Sequence, residues 1–167
     1  GIVSSIQSDE QNCQLTRNPL PVSNLDCQFS GGTATLVWSV ENGLSSVEVS
    51  RDGLLLVTLP GNASFYQETS PPGGLREYSV TVLAGSLTAP ATDCTLSVPP
   101  APVSGLSCIS SQPLTANLGW SVSPGSTALT VSRNGVLIAT LPGGVTAYTD
   151  TNAPAGIISY EVTVEAA

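Results

Sequence analysis

The sequence predicts an all-β chain of two β-sandwich modules in tandem, the second lacking its last strand. Three observations carry this expectation: one unit occurs twice, apolar residues alternate with period two within it, and Asp-Gly, Asn-Gly and proline-rich pairs punctuate the alternating runs. The repeat is explicit. "PVSNLDC" at 21–27 returns as "PVSGLSC" at 102–108, "VSRDGLLLVTLPG" at 49–61 as "VSRNGVLIATLPG" at 131–143, and "EYSVTV" at 77–82 as "SYEVTV" at 159–164. Matches of this length indicate tandem homologous modules.

Taken in order, the first unit holds seven strands, near 23–30, 33–40, 45–51, 54–59, 63–68, 76–83 and 91–98. Leu25, Cys27 and Phe29 alternate inward on the first, and Leu36, Trp38 and Val40 on the second, the pattern of half-buried strands. Asp52-Gly53 and Asn134-Gly135 join the third and fourth strands, where both turn residues of a type I′ hairpin need positive φ. The fifth follows Pro60-Gly61. "TSPPGGL" and "TNAPAGI" are turn-rich connectors leading to the sixth, where Tyr78, Val80 and Val82 point inward, and Cys94, Leu96 and Val98 do so on the seventh. Seven short antiparallel strands in a unit of this size indicate an immunoglobulin-like sandwich. The second unit supplies strands near 103–110, 114–122, 127–133, 136–141, 145–150 and 157–164, and no seventh before Ala167.

These residues carry a resemblance. A proline-led first strand, Trp38 or Trp120 on the second, Tyr66 or "YTD" at 148–150, and Tyr78 or Tyr160 on the sixth are similar to a fibronectin type III module, from about residue 20 onward. The third strand departs from the pattern, with Val49 and Val131 where a Tyr is usual, and this leaves a related bacterial immunoglobulin-like family as the alternative. The resemblance implies an extracellular or cell-surface spacer or adhesion module and brings no catalytic residues with it.

Composition narrows the function. The only cations are four Arg, against twelve acids, for a net charge of −8, a field that repels phosphate backbones and anionic lipid. Neither nucleic-acid binding nor membrane insertion is expected, since no apolar run reaches the length of a span. The absence of Met at position 1 is expected of a processed or excised segment. There is no His and no Lys to serve as base for a nucleophile, no calcium loop and no phosphate loop; the Gly-Gly pairs lie in turns. Asp9 with Glu10 is the densest acidic cluster and reads as a solvated loop. No enzyme activity, cofactor or metal site is expected. Asn62-Ala63-Ser64 is the N-glycosylation sequon, which makes glycans a second partner class.

Four Cys without a C-x-x-C pair point to disulfides in an oxidising compartment. Two pairings fit. Cys13 with Cys27 and Cys94 with Cys108 would staple the joints between modules. Each of these pairs is separated by fourteen residue steps across a proline-rich stretch, up to about 46 Å if extended, whereas a disulfide needs Cα atoms within about 7 Å. The other scheme joins Cys27 to Cys94 inside one module, both facing the same core. It is the better supported, and by the repeat it assigns Cys108 to an equivalent of Cys13.

"NCQLTRNPLPVSNLDC" at 12–27 repeats "DCTLSVPPAPVSGLSC" at 93–108, so Cys13 and Leu15 have the phase of a seventh strand. The expected domains are therefore a donor strand at 1–19, a first fibronectin III-like domain at 20–100 and an incomplete second at 101–167. An unfilled edge exposes unpaired backbone groups and apolar surface. The first module stands between that slot and residues 11–17, so a neighbouring copy is the expected donor, as in the donor-strand exchange of bacterial pili that this resembles. The contact is head to tail, and the expected function is a filament subunit with Cys13 bonded to Cys108 of a neighbour. The alternatives are an excerpt of a long tandem-repeat adhesin, or a spacer of a secreted carbohydrate-active protein.

Overall fold

A computed structural model describes residues 13–166, the side chains of 111 and 112 excepted. Residues 1–12 lie outside the described residues, and with them Asp9, Glu10 and the first part of the expected donor strand. The first module faces one sheet against another. One holds β1 (Ser23–Ser30), β2 (Thr33–Ser39) and β5 (Phe65–Thr69) in the order β1-β2-β5. The other holds β3 (Ser46–Arg51), β4 (Leu54–Pro60), β6 (Gly74–Ala84), β7 (Leu87–Thr88) and β8 (Thr92–Val98), with β4-β3-β6 in sequence and β7 and β8 both paired to β6. All of these pairings are antiparallel.

The second module repeats the plan. β9 (Ser104–Gln112), β10 (Thr115–Ser121) and β13 (Ala147–Asp150) form one sheet in the order β13-β10-β9. β11 (Ala128–Arg133), β12 (Val136–Pro142) and β14 (Tyr160–Glu165) form the other in the order β12-β11-β14. Among the described residues nothing pairs with the outer edge of β14. No helix among them is long and apolar enough to cross a membrane.

Period-two alternation places the cores as expected. Leu36, Trp38, Val47, Val49, Tyr78, Val80 and Val82 fill the first, and Leu118, Trp120, Leu129, Val131 and Val162 the second. Val49 and Val131, the departures from the fibronectin pattern, are fully buried. Both indole N–H groups find carbonyls, Trp38 donating to Ala63 at 2.8 Å and Trp120 to Val145 at 2.9 Å, so the two Trp are core residues with satisfied polar edges. The Asp52-Gly53 and Asn134-Gly135 turns carry the expected positive φ, 51° and 78° in the first, 51° and 79° in the second.

Two elements differ from expectation. β7 is an added short hairpin arm on the end of β6, tied by the Ala89 N–H to the Val82 carbonyl at 3.0 Å. The last strand of the second module begins at Tyr160 and not near residue 157. In the first module Gly74 to Glu77 are strand residues paired with β8, Gly74 opposite Val98 and Glu77 opposite Thr95. Their repeat equivalents, 156–159, have no such partner among the described residues and adopt no strand.

Candidate functional site

Strand ends bring together one polar cluster per module. Arg51 at the end of β3 pairs with Glu68 on β5, and the Tyr78 hydroxyl donates to the other Glu68 oxygen at 2.8 Å. In the second module Arg133 reaches Asp150 at 2.7 Å, and the Tyr160 hydroxyl donates to the same Oδ2 at 2.8 Å. Each carboxylate belongs to one sheet and its Arg and Tyr to the other, so the cluster clasps the sandwich across its core. Burial opposes ionisation of Asp150, 4% exposed. Hydrogen bonds from the Asn152 N–H, Tyr160 and Arg133 outweigh it and hold the carboxyl below its ordinary value. Burial, joined by the bond to Asp150, pushes Tyr160 up to about 12. Among the described residues no buried side-chain polar atom lacks a hydrogen-bond partner, which suits a structural clasp. Sequence analysis missed it, although the signal was there: Arg before the hairpin turn, an acid on the fifth strand and Tyr on the sixth recur in both units.

The modules part at the last strand. In the first, Cys27 on β1 is bonded to Cys94 on β8, with Cα atoms 6.3 Å apart across 67 positions. This engages both cysteines and leaves neither for a staple at a joint. Leu96 and Val98 from β8 are buried in the core. In the second, Cys108 on β9 is free and exposed, and lies near enough to Tyr160 to add a minor push to its pKa. Leu106 and Ile109 on the same strand are exposed. Two grooves border the open edge. One, of about 560 Å³, runs between Leu114 and the 153–158 segment; the other, of about 280 Å³, lies between Pro100, Pro102 and β14.

The expected donor segment, as far as it is described, is not a strand within one chain. Cys13 is free and exposed, and Leu15 is 88% exposed. From Arg17 the segment docks on the first module. Arg17 pairs with Glu41, and the Leu20 N–H donates to the Glu41 Oε1 at 2.8 Å; the Arg17 hydrogen bond, then the Leu20 N–H, lowers the Glu41 pKa. Asn62 is exposed in the turn between β4 and β5.

No known family description matches the chain, and no curated protein matches it. Among solved structures it is similar to a two-domain fibronectin type III segment of chicken tenascin, 16% identical, over 86% of this chain and 89% of that one, with a TM-score of 0.59. Weaker likenesses are to the central fibronectin III array of RIM-binding protein, 20% identical over 90% of this chain and 60% of that one, TM-score 0.40, and to the Clostridium perfringens spore cortex lytic enzyme SleM. The SleM match is 20% identical over 47% of this chain, spans 28% of that enzyme and has a TM-score of 0.44. The likeness to the tenascin segment, with the sheet orders above, establishes two tandem sandwiches of fibronectin type III architecture.

Proposed function

We propose that the chain is a structural subunit of an extracellular filament, joined head to tail by strand donation and disulfides. Residues 11–17 of one copy pair with residues 156–162 of the next, the start of β14 and the stretch before it, and Cys13 of the first bonds Cys108 of the second. One observation carries this: among the described residues no strand pairs with the edge at 156–162, the stretch where β8 closes the first module, while the chain holds a segment of the same Cys-x-Leu phase. In the first module Tyr78 stands opposite Cys94 and Arg76 opposite Leu96. The repeat carries that register to Tyr160 opposite Cys13 and Ile158 opposite Leu15. Strand addition would give β14 main-chain partners, and Leu15 would enter the groove beside Ile158. A heterologous contact of this kind propagates. The disulfide supports an oxidising, extracellular setting, with glycans at Asn62 as an added partner class.

The test is the purified chain under oxidising conditions, on non-reducing gels and by negative-stain microscopy. A ladder that collapses with reductant, and that Cys108→Ser abolishes, is the expected outcome. A monomer whose Cys13 and Cys108 both react with a thiol reagent overturns subunit exchange and favours a module cut from a longer array, its slot filled by the chain that follows.

A further inference from the structure

The joint between the two modules is built, and the repeat supplies most of its parts a second time. At the internal joint the turn at Ser123 and Pro124, with the linker from Val98 to Ala101, covers the end of the first module at Phe29 and the 70–73 loop, enclosing about 390 Å³. Contact is close. A Cβ on Gly125, at φ +94°, would lie 2.5 Å from the Gly73 carbonyl oxygen and 3.2 Å from the Arg76 guanidinium. A Cβ on Gly73 would lie 2.7 Å from Pro100 Cα. Gly73 and Gly74 are buried there, whereas their equivalents Ala155 and Gly156 at the end of the second module are exposed.

The covering parts recur at the start of the first module, where Arg17, Asn18 and Leu20 correspond to Val98, Pro99 and Ala101, and Glu41, Asn42 and Gly43 to Ser123, Pro124 and Gly125. They are already assembled. Glu41 holds Arg17 and the Leu20 N–H, and Gly43 has φ +86° with nothing within 4 Å of where its Cβ would be. The receiving end is also in shape, since Gly156 has φ +117° where Gly74 has +109°.

We propose that the Glu41–Gly43 turn of one copy seats on residues 153–158 of another, so that subunit joints are fixed in angle as the internal joint is. This rests on the strand-donation reading, because the donated strand delivers the turn to that surface. The two joints are not identical. Ala155 carries the Cβ that Gly73 lacks, and Ile158 replaces Arg76, so the subunit joint is slightly wider and has an apolar contact where the internal one has a cation.

The experiment is electron microscopy of the oxidised polymer, comparing the spread of bend angles at subunit joints and internal joints. Narrow distributions at both, with loss of the narrow distribution at subunit joints alone in Asn42→Trp, are expected; that variant leaves the cysteines and the donor strand intact. Ala155→Gly is expected to bring the subunit angle toward the internal one. A disulfide-linked polymer whose subunit joints already swing freely overturns the seated turn and leaves strand donation standing. A chain that forms no polymer overturns both.

Discussion

The two modules share a plan and differ at one edge, and the difference isolates what a last strand contributes. In the first, β6 runs for 11 residues with β8 along it, and Tyr78 and Val80 are fully buried. In the second, β14 runs for 6 residues, Tyr160 is half-buried and Val162 is 9% exposed. Side-chain chemistry is close over 78–82 and 160–164, while ahead of them Arg76 and Glu77 become Ile158 and Ser159. The partner does change, and the strand state of 156–159 goes with it: backbone groups take up the extended ladder where a neighbour accepts their hydrogen bonds, and otherwise turn to water. Secondary structure at this edge is a property of the pair of strands.

The comparison can be broken most strongly at the disulfide. Replacing Cys27 and Cys94 with Ser is expected to cost the first module roughly 4 kcal/mol in the chain-entropy model for a loop of this length, bringing its denaturant midpoint down toward that of the second. Chemical denaturation followed by Trp fluorescence, with Trp38 or Trp120 replaced by Phe to report one module at a time, checks this. An unchanged first-module midpoint would show that strand pairing, and not the cross-link, separates the two.

The clasps offer a smaller contrast. Arg133→Leu leaves the Asp150 carboxylate buried without its cation, an expected loss of about 3 kcal/mol. Arg51→Leu is expected to cost less, because the Glu68 side chain is 16% exposed against 6% for Asp150. Unfolding midpoints of the two variants give the order, and a larger loss for Arg51→Leu would reverse the ranking of the clasps.

The smallest effect is in pH. Tyr160 is raised from an ordinary value of 10.0 to about 12, so its contribution is complete below pH 10 and is lost as pH rises through about 12. Asp150 is lowered from 3.8, so its contribution is present above that value and lost as pH falls through its folded pKa. Thermal melts across both windows, with Tyr160→Phe as the control, are expected to show the alkaline loss diminished in the variant. An unchanged alkaline arm would assign it elsewhere, for instance to Tyr78, also raised by burial.

Strand positions, the hairpin turns and the two cores were legible in the sequence, because period-two alternation and Asp-Gly or Asn-Gly pairs are local signals. The clasps were missed although their Arg, acid and Tyr recur in both units, because Arg51 and Glu68 meet across two sheets whose packing no local pattern describes. The later start of β14 escaped for the reason given above: periodicity at 157–159 announces a strand whose partner is not beside it. At the site, the phase of Cys13 and Leu15 was readable, but the docking of Arg17 and Leu20 on Glu41 required the turn that places Glu41 at the module's end.

The Cys27–Cys94 bond also has a mechanical consequence. Cys27 lies on the strand by which the chain enters the first module, and Cys94 on the strand by which it leaves. Tension applied along the chain therefore crosses from one to the other through sulfur, and the stretch between them carries none of the load. Pulled from its ends, this module resists unravelling as a covalent link does, while the second, with Cys108 unbonded, must bear force through its packing until that thiol finds a partner.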